Sequence, residues 1–412
     1  MRYVIIGNGI AGITAAETIR GLDPTSSITI IARETFPPYC RPMISMLVEG
    51  SINESDMILR SQQFYERLHI DSRTGQIAQE IDVQEKVVWL ISGEEVPFDR
   101  LLIATGAEPI KLNVDGANLE GIFFLRTRED AVNISVAAQE AKSAVVIGGG
   151  LVGLKAADAL KKRGLKVSIV EKLPHLLPLL ADEKAGELVE RQAQAMGIEV
   201  FTSSTVEAFD GGPGVEYVVL DNGARIECDM VVVAVGVKPN VSFMDPDQIS
   251  IKRGIMVNEF LETSVDGIYA AGDVAEVVDV VGGQHRLVPI WTEAVAQGRV
   301  AGMNMAGRKV AYEGAMSRNV IRFEGLDLLS GGIIDPRGMK DARVVQWEDA
   351  RNSTYRRYVL RDDRLVGAIM VNNIEQGGVV LSLIKKGTPL PNAEKLLQDP
   401  SFNFSKLLPK MG

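Results

Sequence analysis

Two glycine-rich stretches have the residue spacing that binds the phosphates of a dinucleotide. Gly7, Gly9 and Gly12 follow the apolar run Val4–Ile6 and begin a segment with the pattern of a helix. The first glycine permits a tight turn, the second lets a pyrophosphate approach the backbone, and the third lets the helix pack on the strand. The free N–H groups at the helix start then attract the phosphates. The sequence therefore predicts a dinucleotide site that also includes Ile10 and Ala11.

A second stretch repeats this pattern after another apolar run. It consists of Gly148, Gly150, Leu151, Val152 and Gly153. Glu171 ends the next predicted strand, 18 residues after Gly153, close to the ~20 residues expected for an acid that binds a ribose hydroxyl. A carboxylate there favours NAD and repels the 2′-phosphate of NADP, although the adjacent Lys172 leaves NADP open. Two such patterns in one chain predict two dinucleotide cofactors.

Two predicted strands end in small residues, which let a backbone pass close to a bound cofactor. The run Leu101–Ile103 ends in Ala104, Thr105 and Gly106, and a later apolar run ends at Gly236. These paired strand endings accompany the paired glycine patterns. Together they favour two similar nucleotide-binding domains.

Three charged residues stand where they can bind the polar parts of a cofactor. Glu34 follows the second predicted strand and is the candidate for a ribose, the alternative being a solvated surface charge. Arg41 precedes Pro42, so its backbone is restricted, and its planar head suits a phosphate. Asp273 follows Gly272 at the end of a predicted strand, where its carboxylate suits a polyol hydroxyl.

The composition is that of an ordinary globular protein, with 46% hydrophobic and 24% charged residues. The 412 residues predict about two to three domains. A net charge of −10 argues against general affinity for nucleic acid. No apolar run approaches the ~20 residues of a membrane helix, so we expect no membrane association. Because the first strand begins within a few residues of Met1, we expect no signal peptide and a cytoplasmic location.

Cysteine and histidine residues show none of the spacings of a metal site. Cys40 and Cys228 lie far apart in sequence, and the three histidines do not cluster. We therefore expect no metal and place any iron–sulfur centre on a partner protein. Cys228 precedes an apolar run and is interpreted as a small packing residue.

Two further segments complete the chain. Asn53–Ile70 has a mixed polarity that we interpret as helical. From Gly314 onwards, predicted strands and one helix indicate a smaller α+β domain with no chemistry of its own. That domain ends in the apolar stretch Phe402–Leu408, which we expect to pack in a core, with docking to a partner as the alternative.

Together these motifs resemble the two-dinucleotide-binding-domain flavoproteins of the FAD/NAD(P) pyridine nucleotide-disulfide oxidoreductase superfamily. The matching stretches are GNGIAG, YCRPMIS, LLIATGAEP, FLRT, VVIGGGLVG, AVGVKPN, GIYAAGDVAE and WTEAVAQG. The resemblance covers nearly the whole chain, which is most similar to NADH:rubredoxin and ferredoxin reductases. It also resembles the NADH-binding portion of assimilatory nitrite reductase and the NADH-linked flavoprotein subunits of iron–sulfur complexes. The resemblance implies FAD and NAD(H) as cofactors.

The resemblance also implies a fold, which is α/β with two Rossmann-like domains and a small α+β C-terminal domain. The FAD-binding domain is expected in two segments, 1–109 and 243–313. The NAD-binding domain is expected at 110–242, and a C-terminal interface domain at 314–412.

The residues that contact each cofactor follow from the same resemblance. Those expected at FAD are Gly7, Gly9, Ile10, Ala11, Gly12, Glu34, Arg41, Pro42, Ala78, Ala104, Thr105, Gly106, Arg126, Gly272, Asp273 and Trp291. Those expected at NAD(H) are Gly148, Gly150, Leu151, Val152, Gly153, Glu171 and Gly236. Trp291 matches a tryptophan beside the flavin ring in related ferredoxin reductases. It also begins a predicted helix whose N-terminal amides are expected to face the flavin.

Three departures from the family pattern concern side chains expected near the flavin. Cys40 lies a little before the position of the redox cysteine of NADH oxidases and CoA-disulfide reductases. Met46 stands where ferredoxin reductases carry lysine, and Lys155 stands where they carry glutamate. We hypothesise that Lys155 supplies the positive charge for reduced flavin that the missing lysine would give, the alternative being a solvated side chain. Trp291, Lys155 and Cys40 are thus the candidates for catalytic side chains.

The leading functional interpretation is an FAD-dependent NADH:acceptor oxidoreductase. It exchanges electrons with a redox protein, either rubredoxin- or ferredoxin-like or an iron–sulfur partner subunit. One alternative is an NADH oxidase or thiol/disulfide reductase that uses Cys40, and another is a non-catalytic cofactor-bound subunit of a complex. A homo-oligomer or complex subunit is expected. A candidate basic face for an acidic partner consists of Arg351, Arg356, Arg357, Arg361 and Arg364.

Overall fold

The computed structural model describes residues 1–399 and 402–407, and its elements are numbered here in chain order. The strands are β1 (Arg2–Ile6), β2 (Ser27–Ala32), β3 (Ile70–Thr74), β4 (Ala78–Asp82), β5 (Val87–Leu90), β6 (Glu95–Pro97), β7 (Arg100–Ile103), β8 (Ala107–Pro109), β9 (Ile122–Phe124), β10 (Ser143–Ile147), β11 (Lys166–Val170), β12 (Ile198–Phe201), β13 (Val206–Gly211), β14 (Val215–Leu220), β15 (Arg225–Glu227), β16 (Met230–Val233), β17 (Val237–Pro239), β18 (Ile255–Met256), β19 (Ile268–Ala270), β20 (Ala275–Val278), β21 (His285–Leu287), β22 (Arg318–Phe323), β23 (Leu326–Gly332), β24 (Arg343–Asp349), β25 (Thr354–Arg361) and β26 (Arg364–Val371). The α-helices are α1 (Ile10–Leu22), α2 (Ile44–Glu49), α3 (Gln62–Arg67), α4 (Arg128–Ala137), α5 (Leu151–Lys162), α6 (Glu183–Ala195), α7 (Trp291–Met305), α8 (Gly377–Lys386) and α9 (Ala393–Leu397). Short 3-10 helices lie at Arg41–Met43, Glu54–Met57 and Phe404–Leu407. Within the described ranges, no helix has both the length and the apolar character needed to cross a bilayer.

These elements form two compact units. Unit 1 contains Met1–Met43, Asn53–Glu108 and Val237–Ala315. Unit 2 contains Ile44–Ile52, Pro109–Gly236 and the described residues from Met316 onwards. Strands β8 and β17 pair as a two-stranded sheet. The predicted boundaries of three functional domains stay a prediction.

Unit 1 is built on a parallel sheet with the strand order β19-β7-β1-β2-β3. Its inner strands are apolar and covered on both faces, as parallel strands are, and Ile5, Ile30 and Leu102 are fully buried. Strand β1 pairs with β2 on one side and with β7 on the other, so the strand order reverses at its end. Open α/β sheets bind ligands at such a reversal, and the first glycine pattern follows β1 directly.

Unit 2 contains a second parallel sheet, with the order β12-β11-β10-β16-β9. Strand β10 pairs with β11 and β16 and so has the same place in this sheet as β1 has in the first. The second glycine pattern follows β10. Each unit also carries a small antiparallel sheet, β4-β5-β6 in unit 1 and β13-β14-β15 in unit 2. The predicted pair of Rossmann-like folds is therefore confirmed.

The C-terminal residues form an antiparallel sheet with the order β22-β23-β26-β25-β24, against which α8 packs. This sheet belongs to the predicted α+β part of the chain. Phe404 is buried, and its ring centroid lies 5.7 Å from that of Tyr358. The end of the chain therefore packs in a core at Phe404, as expected, while Leu408 lies outside the described residues.

The prediction of a helix over Asn53–Ile70 is wrong. The segment divides into a 3-10 helix, the short helix α3 and the first residue of β3. The 3-10 helix Glu54–Met57 begins with a capping box, in which the side chains of Asn53 and Asp56 each accept a hydrogen bond from the other residue's backbone. His69 then adopts a φ of +48°, which ends the helical run before Ile70 joins the parallel sheet.

Helix α2 packs in unit 2, although the residues on both sides of it in sequence belong to unit 1. Arg163, at the end of α5, donates to the carbonyl of Val48. The Ser135 hydroxyl donates to the Leu47 carbonyl at 3.3 Å, and Lys162 forms an ion pair with Glu49 at 3.6 Å. These contacts join α2 to α4 and α5.

Candidate functional site

The first glycine pattern makes a tight connection between β1 and α1. Gly7 has a φ of +122°, and a Cβ there would lie 2.1 Å from the carbonyl oxygen of Ala104. A Cβ on Gly12 would lie 2.0 Å from the Gly7 oxygen, so packing requires both glycines. Gly9 differs, because a Cβ there would meet no protein atom within 4 Å. The open space beside this second glycine is where the backbone can admit a pyrophosphate.

The start of α1 offers hydrogen-bond donors to that open space. The helix begins at Ile10, and its first turn contains no acidic residue that would neutralise the positive end of the helix dipole. Asn8 lies in the same loop, and its buried Nδ2 atom has no hydrogen-bond partner among the described residues. Its Oδ1 atom accepts a hydrogen bond of 2.7 Å from the Tyr65 hydroxyl. The loop therefore fits the pyrophosphate of FAD.

The structure brings the predicted Glu34 and Arg41 together. Arg41 donates to Glu34 Oε1 at 2.8 Å, and the Tyr39 hydroxyl donates to Oε2 at 2.8 Å. Burial lowers the pKa of Arg41, but its interactions with Tyr39, Glu34 and Asp273 outweigh this effect, so the pKa is raised and the side chain stays cationic. Pro42 follows Arg41 in the same 3-10 helix. Tyr39 was not predicted, although its position two residues before Arg41 was an available signal.

A hydrogen-bonded pair joins the small residues after β7 to a distant part of the chain. The Thr105 hydroxyl donates to the carbonyl of Asn240 at 2.9 Å, and Asn240 Nδ2 donates to the Thr105 carbonyl at 3.0 Å. The Asn240 amide also donates to the carbonyl of Gly106 at 3.0 Å. Ala104, which precedes this pair, is buried. Sequence reasoning missed Asn240, whose only signal was its place after the second strand–glycine ending.

Helix α7 connects the predicted Gly272 and Asp273 to the first glycine pattern. The Gly272 amide donates to Gln297 Oε1 at 2.7 Å, and Gln297 is only 1% exposed. A Cβ on Gly298 would lie 2.3 Å from the carbonyl oxygen of Ala11, so α7 packs directly on α1. Gln297 was not predicted, because a glutamine inside a helix carries no special signal.

The other candidates for FAD lie on separate elements. Trp291 is half-buried in the first turn of α7. Ala78 begins β4 and is buried, so it offers only backbone groups. Arg126 belongs to unit 2, where its amide donates to Asp130 at 2.9 Å before α4. Cys40 is half-buried, and burial raises the pKa of its thiol, which disfavours the reactive thiolate.

The second glycine pattern repeats the geometry of the first. Gly148 has a φ of +106°, and a Cβ there would lie 2.5 Å from the carbonyl oxygen of Ala234. A Cβ on Gly153 would lie 1.8 Å from the Gly148 oxygen, whereas one on Gly150 would meet no protein atom within 4 Å. Leu151 and Val152 begin α5, and Val152 is 44% exposed. This loop therefore fits a second dinucleotide.

Glu171 lies beside this second pattern, as a ribose-binding acid must. Its carboxylate accepts hydrogen bonds from the amides of Gly149 at 2.6 Å and Leu173 at 2.8 Å. A carboxylate has about four lone-pair sites, so acceptor capacity is left for ribose hydroxyls. Gly236 has a φ of +115°, and its carbonyl accepts a hydrogen bond of 3.0 Å from Ile110.

Lys155 has a partner within unit 2. Its ammonium donates a hydrogen bond to the backbone carbonyl of Arg322 on β22. The contact is exposed, so Lys155 has a backbone partner and also remains in contact with solvent. Met46, which stands where ferredoxin reductases carry lysine, is 40% exposed. The hypothesis that Lys155 supports reduced flavin stays a prediction.

The expected basic face of five arginines is only partly present. Arg356 is buried and donates to the carbonyls of Val371 at 3.0 Å and Asn372 at 2.7 Å. Arg357 forms an ion pair with Asp182 at 3.3 Å. The prediction is wrong for these two side chains, because alternation along a strand turns neighbouring residues to opposite faces.

Comparison with known proteins agrees with this geometry. Residues 1–298 match the family described as pyridine nucleotide-disulphide oxidoreductase, and residues 318–388 match the rubredoxin NAD+ reductase C-terminal domain. The chain is 30% identical over 395 residues to the NADH-rubredoxin oxidoreductase of Clostridium acetobutylicum, with 96% of this chain and 97% of that one covered. It is 30% identical over 397 residues to the nitrite reductase (NAD(P)H) of Bacillus subtilis, with 96% of this chain covered.

Two further comparisons concern length and three-dimensional structure. The chain spans about half of the nitrite reductase, 48% of its length. The solved structure of an NAD-dependent persulfide reductase from A. fulgidus superposes with a TM-score of 0.89 at 29% identity. The superposition covers 94% of this chain and 77% of that one.

These findings confirm the predicted fold class and the predicted enzyme class. The protein is an NAD(P)H-dependent flavoprotein oxidoreductase, and its cofactors are FAD and NAD(H). By the family match over most of its length, the chain belongs to the pyridine nucleotide-disulphide oxidoreductase family.

Proposed function

We propose that this chain transfers hydride between NAD(H) and FAD and exchanges electrons with a protein redox partner. The observation that carries the proposal is the pair of glycine patterns, one in each unit, with an open second glycine at Gly9 and at Gly150. One pattern serves the flavin nucleotide and the other the nicotinamide nucleotide. A bound FAD would supply the hydride-accepting group and the capacity to release electrons one at a time.

The residues of unit 1 hold FAD in this proposal. The amides at the start of α1 and the cation of Arg41 bind the pyrophosphate, because both place positive charge beside it. Glu34 accepts hydrogen bonds from a ribose, and Asp273 from the polyol chain. The backbone at Thr105 passes close to the cofactor. The other members of the proposed set are Ile10, Ala11, Pro42, Ala78, Ala104, Gly106, Gly272 and Trp291. Arg126, which the family resemblance also implies for FAD, belongs to unit 2 and stays a prediction.

The residues of unit 2 hold NAD(H). The amides at the start of α5 bind the pyrophosphate, and Glu171 binds the ribose hydroxyls and repels a 2′-phosphate. Gly236, between β16 and β17, has a backbone that can approach the nucleotide. No side chain has to act as an acid or base in hydride transfer. The tasks of these residues are to bind, to orient and to exclude water.

We infer that the redox partner is a rubredoxin- or ferredoxin-like protein or an iron–sulfur subunit. The match of residues 318–388 to the rubredoxin NAD+ reductase C-terminal domain supports this, as does the NADH-rubredoxin oxidoreductase that is covered over 97% of its length. The longer nitrite reductase supports the case in which the chain works as part of a larger enzyme. A homo-oligomer or complex subunit and a cytoplasmic location belong to the same proposal, and size-exclusion chromatography and cell fractionation test them.

Anaerobic titration with NADH tests this function. The purified yellow protein is titrated while the visible flavin band is followed, with NADPH as the matched control because it differs only by the 2′-phosphate. The proposal expects NADH to bleach the band at one equivalent per FAD and NADPH to leave it unchanged. Bleaching by NADPH contradicts the role of Glu171. No bleaching by either nucleotide favours a subunit that is competent only inside a complex.

A thiol or disulfide reductase that uses Cys40 is the second candidate. The structural likeness to a persulfide reductase favours it. The raised pKa of the Cys40 thiol opposes it, and the other cysteine of the chain, Cys228, belongs to the other unit. Cys40→Ser separates the two candidates. The leading proposal expects NADH-dependent reduction of a redox protein within about twofold of wild type in this variant, whereas a thiol mechanism expects the wild type to reduce a disulfide with NADH and the variant to lose that activity.

A further inference from the structure

A polar network joins the C-terminal sheet to the start of α6. The Tyr355 hydroxyl donates to Asp182 Oδ2 at 2.6 Å, and Arg357 Nη1 donates to the same oxygen at 3.3 Å. Tyr355 and Arg357 lie two residues apart on β25 and so point to the same face of the sheet. A second contact between the same two parts of the chain is the ion pair of 3.1 Å between Lys184 of α6 and Glu348 of β24. The network is internal to unit 2.

The side chains that meet at Asp182 are shielded from water. Tyr355 is buried, and the side chains of Asp182 and Arg357 are only 17% and 18% exposed. Shielded charges are screened by salt much less than those at the surface. Asp182 uses both carboxylate oxygens, because Oδ1 also caps α6 by accepting a hydrogen bond of 3.2 Å from the Ala185 amide. The network therefore fixes the position of Asp182.

Asp182 ends the loop 172–182, which begins directly after Glu171. The Leu173 amide donates to the Glu171 carboxylate at 2.8 Å, so the loop holds this acid at its first turn. The Leu177 amide donates to the carbonyl of Gly149 at 2.8 Å, which ties the middle of the loop to the second glycine pattern. Leu177 is fully buried. The loop is thus attached to Glu171 at its start, to the glycine pattern at its middle and to the C-terminal sheet at its end.

We propose that Tyr355 and Arg357 are positioning residues for NAD(H), which hold loop 172–182 in the conformation that presents Glu171 and the second glycine pattern to the nucleotide. Neither side chain touches the nucleotide, and both act through Asp182. The inference rests on the NAD(H) site of the proposed function. It gives the C-terminal sheet a role in nucleotide affinity that is separate from any role in docking a redox partner.

The test measures nucleotide binding and flavin reduction separately in Tyr355→Phe. Calorimetry of NAD+ with the oxidised, FAD-loaded protein gives Kd, and stopped-flow reduction by NADH gives the limiting rate and the half-saturating concentration. Losing a hydrogen bond to a charged group should weaken binding by about threefold to tenfold. The limiting rate of flavin reduction should stay within about twofold, because the flavin site in unit 1 is unchanged. Arg357→Gln should show the same pattern.

Two variants serve as matched controls. Tyr358→Phe makes the same deletion on the same strand, at a buried tyrosine that makes no hydrogen bond to Asp182. Arg343→Gln removes an ion pair of 2.7 Å with Asp363 in the same part of the chain. Both should bind NAD+ as wild type does. If both controls bound NAD+ as weakly as Tyr355→Phe does, the proposal would be overturned, because a general loss of stability in the sheet would then explain the effect.

A double-mutant cycle with Asp182→Asn decides whether the two residues act through each other. The proposal expects Tyr355→Phe to have no further effect on Kd once Asp182 is changed. Additive losses, or an unchanged Kd in both Tyr355→Phe and Arg357→Gln, would overturn it. A wild-type protein that binds neither NAD+ nor NADH would instead refute the proposed function. The two failures are therefore distinguishable.

Discussion

At the scale of single residues, the glycines of each pattern divide into two kinds. Gly7 and Gly12 are required by contacts within the protein, because a side chain would overlap backbone atoms. Gly9 has an extended backbone, with φ −79° and ψ −176°, which any residue adopts, and it faces open space. The protein alone gives no reason for a glycine at this position. A ligand that lies against the backbone does.

This difference predicts opposite phenotypes for two alanine variants. Gly9→Ala should leave the unfolding free energy of the FAD-free protein within about 1 kcal/mol of wild type but weaken FAD binding about tenfold or more. Gly12→Ala should cost about 1–3 kcal/mol of stability, because its Cβ meets the Gly7 carbonyl. Urea unfolding and fluorescence titration with FAD measure the two effects. Normal FAD affinity in Gly9→Ala would contradict the assignment of this pattern.

Cys228 predicts an alkaline pH dependence of stability. Burial, with the charges of Asp229 and Glu227, raises the pKa of its thiol to about 12, whereas an unfolded thiol ionises near ~8.5. Because the folded pKa is the higher one, the unfolded state releases its proton first. The contribution of Cys228 is therefore complete below pH ~8.5 and is lost as the pH rises toward about 12.

The measurement is urea unfolding of wild type and Cys228→Ala at pH ~8 and ~10. The free energy of unfolding of wild type should fall more steeply, with a difference of at most ~1.4 kcal/mol per pH unit. Cys40 is present in both proteins and so does not affect the difference. Equal slopes in the two proteins would show that the Cys228 thiol does not stay protonated in the folded state.

At the scale of elements, α7 holds together two parts of the proposed FAD site. It packs on α1 at Gly298, and its Gln297 side chain accepts a hydrogen bond from the Gly272 amide. The turn that carries Asp273 is therefore positioned against the first glycine pattern by a helix that follows it in sequence. A buried amide without a partner costs about 1–3 kcal/mol, so Gln297 is important for this arrangement.

Gln297→Leu should weaken FAD binding about threefold to thirtyfold while NAD+ affinity stays unchanged. The physical reason is that the Gly272 amide loses its acceptor and the Asp273 turn moves. Gln248→Leu is the matched control, because Gln248 is an exposed glutamine of the same unit. If Gln297→Leu bound FAD as tightly as Gln248→Leu does, α7 would not position the turn.

At the scale of the whole molecule, charge opposes association with an acidic partner. The net charge is −10, and two of the five arginines expected to form a basic face are engaged inside unit 2. Repulsion between like charges slows encounter and is relieved by salt. The distribution of charge therefore bears on the rate of electron transfer to a protein acceptor.

We expect the second-order rate constant for reduction of a small acidic redox protein to rise with NaCl between ~0.01 and ~0.15 M, over which the screening length falls from ~30 to ~8 Å. Reduction of an uncharged quinone, measured in parallel, should not change. Stopped-flow kinetics at several salt concentrations give both rates. A rate for the protein acceptor that falls with salt would reveal a complementary basic surface.

The amino-acid sequence by itself determined both dinucleotide patterns, the apolar strands that lead into them and the position of Glu171. These features are local, because a strand, a tight turn and a helix start require particular residues within a few positions of each other. For the same reason the sequence indicated Gly9 and Gly150 as ligand positions. The apolar strands β1 and β10 that lead into these patterns can also be recognised in the sequence, because burial on both faces requires continuous apolar residues.

Only the tertiary structure decided which distant residues meet at these sites. Asn240 pairs with Thr105, Gln297 with Gly272, and Tyr355 with Asp182, each across a long stretch of sequence. Asparagine, glutamine and tyrosine side chains form hydrogen bonds in many settings, so the residue type alone does not predict these partners. The packing of α2 in unit 2 is of the same kind. Such contacts depend on where the chain returns in space, and that is decided by the packing of the whole fold.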